Sequence, residues 1–122
     1  MLTVPPSVRI YVCAQATDMR RSFDGLSALA RDTVQQDPFS GHLFVFCNRR
    51  ADRVKVLWWD RSGFCLWYKR LEEGLFRFPE RGARGYEMEP SEFALILEGI
   101  ELESVRRRKR FSLRGRPPVG PA

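Results

Sequence analysis

A single α+β domain is what the sequence predicts: a mostly antiparallel sheet with an N-terminal and a C-terminal helix, followed by a basic tail. Three observations carry this reading. The chain has 122 residues, the length of one domain. Its 43% hydrophobic and 30% charged residues are a globular balance, and a chain this long buries enough surface to fold without disulfides or metals. Its middle holds three strand-like runs in succession, with one helix-like stretch on each side.

Val8–Cys13 alternates and is rich in β-formers, so it is the first strand. A helix follows, with Thr17 or Asp18 as its cap and Met19, Phe23, Leu26, Ala30 and Val34 recurring at three-to-four spacing. Gly25 weakens its middle. The run 37–41, Asp-Pro-Phe-Ser-Gly, has turn chemistry. The three central strands are Leu43–Asn48, Val54–Trp59 and Phe64–Lys69, joined by loops at 49–53 and 60–63.

Pairing Trp59 with Phe64 and Asn48 with Val54 sorts the side chains into two faces. One carries Phe44, Phe46, Val54, Val56, Trp58, Cys65 and Trp67. The other carries Leu43, Val45, Cys47, Leu57, Trp59, Phe64 and Leu66, with Lys55 and Tyr68 at one end. Both faces are apolar, so one helix cannot cover the sheet. Leu75–Pro79 is expected as a further short strand, and 80–85 as a polar loop. Pro90 through Gly99 reads as the second helix, with proline at its first position, Glu92 in its first turn and Gly99 as its C-terminal cap. Its stripe of Phe93, Ile96, Leu97 and Ile100 is the expected cover for the second face.

The formal charge is +6. Of the 21 basic side chains, seven lie in 104–122: Arg106, Arg107, Arg108, Lys109, Arg110, Arg114 and Arg116. No acid accompanies them. Residues 1–103 are left with 14 basic against all 15 acidic side chains, a net charge of −1. The division is therefore a near-neutral domain over 1–103 and an unstructured basic tail over 104–122. Arginine outnumbers lysine 18 to 3, and its planar fork suits phosphates and base edges.

Catalytic chemistry finds little to stand on. His42 is the only histidine, and no nucleophile–base–orienter set can be built around it. Cys13, Cys47 and Cys65 lack metal-ligand spacing and fit a reducing cytoplasm better than a disulfide framework. A metal-dependent nuclease needs converging carboxylates. Asp18, Asp24, Asp52, Asp60 and Glu72 are available, but Asp18 suits a cap and Asp52 and Asp60 suit turns. No phosphate-binding glycine loop occurs. No run approaches the roughly 20 apolar residues of a membrane span, and the N-terminus lacks a signal-peptide pattern. The expectations are no enzyme, no cofactor, no metal and no membrane.

Binding is better represented. Trp58, Trp59, Trp67 and Tyr68 lie among Arg49, Arg50, Arg53, Lys55, Lys69 and Arg70. Such interleaving can stack bases and neutralise phosphates, although the near-neutral body favours tryptophans in the core. In the tail, Arg114-Gly115-Arg116-Pro117 is similar to the core of an AT-hook, which lies in narrow A·T minor grooves. The candidate nucleic-acid-binding set is Arg49, Arg50, Arg53 and Lys55 together with the seven tail cations.

Five runs carry a resemblance to a known family. They are 18–26 (Asp-Met-Arg-Arg-Ser-Phe-Asp-Gly-Leu), 37–46 (Asp-Pro-Phe-Ser-Gly-His-Leu-Phe-Val-Phe), 52–60 (Asp-Arg-Val-Lys-Val-Leu-Trp-Trp-Asp), 63–72 (Gly-Phe-Cys-Leu-Trp-Tyr-Lys-Arg-Leu-Glu) and 97–100 (Leu-Glu-Gly-Ile). In this order they resemble the TnpB, or second-open-reading-frame, accessory proteins of the bacterial insertion sequence sixty-six family, from about residue 8 to residue 102. The resemblance implies a non-catalytic role in DNA transposition beside a separate transposase that holds the acidic-triad chemistry. It brings no catalytic residue to carry over. The chain departs from the pattern at Glu89, where the family often has threonine, and in its tail. The expected partners are the element's transposase and DNA. Two other readings stay open: a protein-interaction module with no DNA contact, and a small metal-dependent nuclease.

Overall fold

A computed structural model describes residues 4–99. One five-stranded sheet organises them, in the spatial order β4-β3-β2-β1-β5. In chain order the elements are β1 Ile10–Cys13, α1 Phe23–Leu29 continuing into a π-helical turn Ala30–Val34, β2 Leu43–Cys47, β3 Arg53–Asp60, β4 Gly63–Arg70, β5 Gly85–Met88 and α2 Pro90–Leu97. Only β1 and β2 run parallel. α1 is their crossover, as parallel neighbours require. The α+β class, the mostly antiparallel sheet and the two helices are as the sequence predicts.

β2 lies one residue away from its expected register. Trp59 does face Phe64, but Cys47 rather than Asn48 faces Val54. Asn48 instead bonds backbone to backbone with Arg53, leaving a four-residue loop over 49–52 that turns on Ala51 at φ 61°. A one-residue slip flips a whole strand. Leu43, Val45 and Cys47 therefore share the face of Val54, Val56, Trp58 and Trp67. Phe44 and Phe46 join Leu57, Phe64 and Leu66. Trp58 and Trp67 are accordingly only half-buried, and they do not pack with Phe44 and Phe46 as expected.

Both faces are covered. Leu26 and Ala30 of the first helical segment pack on Phe44, Phe46 and Leu57. Phe93, Ile96 and Leu97 of α2 cover Ile10, Val12, Val45 and Val56, with Phe76 and Met88 beside them. Leu75–Pro79 forms no strand. Phe76 is a buried plug at 2% exposure, tied by its N–H to the Ala51 carbonyl at 2.7 Å. The extra strand is β5, antiparallel to β1. It approaches closely because Gly85 has no side chain: a Cβ there would stand 2.9 Å from the Val12 carbonyl oxygen.

α1 starts later than expected. Asp18 folds a tight turn, accepting from the Arg20 N–H at 2.9 Å, while its own carbonyl accepts from Arg21. Ser22 is the cap position and makes no side-chain cap bond. α2 keeps its expected ends: Pro90 opens it, and Gly99 leaves it at φ 74°, the left-handed geometry that glycine adopts without strain.

Candidate nucleic-acid interface

The loop between β2 and β3 is built by one side chain. The Asn48 amide oxygen accepts from the Asp52 and Arg53 N–H groups, at 3.1 and 3.0 Å. Its amide nitrogen donates to the Asp52 carboxylate at 2.7 Å. That bond, helped by Arg50 and Arg53, holds the Asp52 carboxyl below its ordinary range. The result is a fixed platform at the tip of which Arg49 and Arg50 stand exposed. Among the described residues neither has a hydrogen-bond or ion-pair partner.

Beneath them lie two shallow grooves at the carboxyl ends of the parallel strands β1 and β2, the end of a sheet where ligands tend to bind. One, of about 520 Å³, runs between the Ala16–Met19 segment and the 48–53 loop. The other, of about 470 Å³, lies between the 12–16 segment and the Phe78–Gly82 loop with Tyr86 of β5. Ala16, Asn48 and Arg49 belong to both, so Arg49 stands on the ridge between them. In the second groove burial pushes the Cys47 thiol up to about 11, which keeps it protonated at neutral pH. Burial likewise raises the Tyr86 hydroxyl to about 12, while that hydroxyl donates to the Pro79 carbonyl at 2.6 Å.

The four candidate cations of this region separate on contact with the structure. Arg49 and Arg50 are exposed and, among the described residues, make no hydrogen bond or ion pair. Arg53 is half-buried and donates to the Tyr68 hydroxyl at 3.0 Å. Lys55 is 7% exposed; its ammonium donates to the carbonyls of Met19 and Arg21 at 2.7 and 2.8 Å and sits 4.9 Å from the Tyr68 ring centre. It is thus a buried clamp on the turn before α1, turned away from any phosphate. Lys69 is likewise engaged, donating to the Leu97 carbonyl at 2.7 Å. The cations Arg106, Arg107, Arg108, Lys109, Arg110, Arg114 and Arg116, and the boundary at 103, lie outside the described residues.

The acids considered for metal chemistry stand apart. Asp18 is gripped by the Arg20 guanidinium at 2.7–3.1 Å, which holds its carboxyl down at about 2. Asp52 serves the loop, and Glu72 pairs with Arg70 at 2.8 Å. Among the described residues no three His, Cys, Asp or Glu side chains come together. His42 accepts the Arg9 backbone N–H at 2.9 Å through Nδ1 and touches the Tyr11 ring edge-on, so it braces the start of β2. Among the described residues no helix is long and apolar enough to cross a membrane.

Fold and loop together define a small α+β protein with an arginine-tipped hairpin and no assembled reaction centre among its described residues. The chain belongs to the IS66 Orf2-like family, whose sequence profile matches residues 8–107, and so to the accessory proteins of insertion sequences. It is 40% identical over 101 residues to the uncharacterized protein y4jC of Sinorhizobium fredii (strain NBRC 101917 / NGR234), spanning 83% of this chain and 86% of that one. A second protein of that strain, the uncharacterized protein y4hO, is 34% identical over 101 residues, 83% of this chain and 88% of the relative. No solved structure matches the chain.

Proposed function

We propose that the protein is a non-catalytic factor for transposition that works beside the transposase of its own element and contacts DNA through Arg49 and Arg50, assisted by its basic tail. One observation supports this most: two exposed arginines, with no hydrogen-bond or ion-pair partner among the described residues, stand on a loop that three Asn48 hydrogen bonds tie together. An exposed guanidinium with no hydrogen-bond partner keeps all its N–H donors for phosphate oxygens, where paired, charge-assisted bonds form. Arg53 flanks the loop base and is available only by leaving Tyr68.

The experiment is duplex binding by the full chain across a salt series, with Arg49→Gln/Arg50→Gln alongside. Weaker binding and a shallower salt dependence in the double variant, with its circular dichroism unchanged, support the reading. Equal affinity and slope in both proteins overturn the loop's part in it. A second reading, docking to protein alone, draws on the net charge of −1 over residues 1–103, which gives the folded body little long-range attraction for DNA. No duplex binding at any salt would select it.

A further inference from the structure

Among the described residues β4 is an edge strand of unusual character. It is eight residues long, Gly63–Arg70, and pairs with β3 without interruption from Asp60↔Gly63 to Arg53↔Arg70. Proteins guard such edges with prolines, bulges, short length or charge. β4 has no proline and no bulge, and its middle, Phe64–Tyr68, carries no charge. Of the charges at its end, Lys69 turns to the Leu97 carbonyl, while Arg70 stays at the surface, paired with Glu72. The opposite edge, β5, is only four residues long and carries Glu87, and Pro90 follows it closely.

The ladder shows which groups β4 leaves open. The Leu71 N–H donates to the Asp52 carbonyl at 2.9 Å, extending the β3–β4 register. Bonded pairs alternate along antiparallel strands, so residues 65, 67 and 69 bond toward β3. Phe64, Leu66, Tyr68 and Arg70 then aim N–H and C=O outward. Their side chains share the α1 face, and an apolar strip borders the edge there. Phe39 is 57% exposed and Tyr68 46%. Phe39, Trp59 and Phe64 form a ring cluster with centroids 5.1–5.3 Å apart.

We propose that β4 pairs antiparallel with β4 of a second copy, making one continuous ten-stranded sheet. The strand is self-complementary about Leu66. A dyad there sets Leu66 against Leu66 and Phe64 against Tyr68 on the α1 face, with Cys65 against Trp67 on the other. Every outward N–H of the central stretch meets an outward C=O. Within the paired stretch no like charges stand opposite: Lys69 of one copy meets Gly63 of the other, and Arg70 falls beside Ser62. The two aromatic strips join across the axis. A transposase strand could use the same edge, but only a second copy is matched by the strand's own symmetry.

Sedimentation equilibrium of the full chain tests this. The expected mass is twice 14.2 kDa through the micromolar range. Leu66→Pro removes the central outward N–H and spares the ladder to β3, the edge position where proline is tolerated. It is expected to give a monomer with native circular dichroism, whereas Leu66→Val keeps the dimer. Should the proline variant fail to fold, Tyr68→Lys, at an exposed position, is expected to weaken dimerisation by about tenfold or more. A wild-type chain that stays monomeric, or that joins another protein through β4 only when the transposase is present, overturns the proposal. So does a dimer that Tyr68→Lys leaves as tight as wild type.

Discussion

A lysine ammonium at 7% exposure must find acceptors for its protons, and Lys55 finds two in the carbonyls of Met19 and Arg21. Lys55→Met keeps the stem and removes the donors. It is expected to lower stability by about 1–3 kcal/mol, read by chemical denaturation, and to leave duplex affinity of the folded protein unchanged. A drop in affinity with unchanged stability would return Lys55 to the nucleic-acid surface. The acid Asp18, next to Met19, gives a pH signature. Arg20 holds its carboxyl at about 2, below the ordinary 3.8, so folding favours the ionised form. That contribution is whole above 3.8 and fades as pH falls toward about 2. Asp18→Asn is expected to flatten the melting temperature across that window and to lower it slightly at neutral pH, where the contribution is whole. Gly85→Ala sets a methyl 2.9 Å from the Val12 carbonyl; overpacking of this kind costs about 1–3 kcal/mol, measurable as a lower melting temperature. None of these roles is visible in a linear chain. Lys55 reads as the polar member of an alternating strand, and its acceptors lie 34 and 36 positions away.

The elements themselves were largely legible. Alternation marked β1, strand-like apolar runs between hairpin loops marked β2 to β4, and proline and glycine marked both ends of α2, because those signals are local. Register was not, since it depends on how Asn48 closes the loop, and one residue of slip exchanged Phe44 and Phe46 for Leu43, Val45 and Cys47 on the α2 side. β5 is four residues long and owes its place to β1, so its own sequence barely announces it. The apolar run 75–79 met the composition of a strand, yet Phe76 does its work as a buried plug. For the candidate site, the sequence found Arg49, Arg50 and Arg53 as a basic loop. It did not show that Asn48 makes the loop rigid or that Lys55 is withdrawn. Asn48→Ala is therefore expected to cost about 1–3 kcal/mol, by stranding the Asp52 and Arg53 N–H groups, and to loosen Arg49 and Arg50 in backbone relaxation measurements. Unchanged relaxation would mean the loop is held elsewhere. α2 offers a parallel case. Phe93, 2% exposed against the sheet, should cost about 3–5 kcal/mol on truncation to alanine, far more than the exposed Phe39.

At the scale of the whole chain, charge is split between a body of net −1 and a tail that holds seven of the 21 basic residues. This division decides how DNA contact should respond to salt. Each neutralised duplex phosphate contributes about 0.9 to the fall of log affinity with log salt. Arg49, Arg50 and Arg53 can then supply a slope of at most about 3, and the tail at most about 6. The two contributions separate in the full chain by changing either set to glutamine. Neutralising Arg106, Arg107, Arg108, Lys109, Arg110, Arg114 and Arg116 is expected to remove most duplex affinity and the larger part of the slope. The Arg49, Arg50 and Arg53 variant should lose the smaller part. Changing Arg114 and Arg116 alone should weaken A·T-rich duplex more than G·C-rich duplex, because a narrow minor groove concentrates negative potential. If the tail variant alone matches wild type, phosphate contact rests on the Asn48-held loop. If both variants keep the wild-type slope, neither cation set meets phosphate, and the protein serves its element through protein contacts.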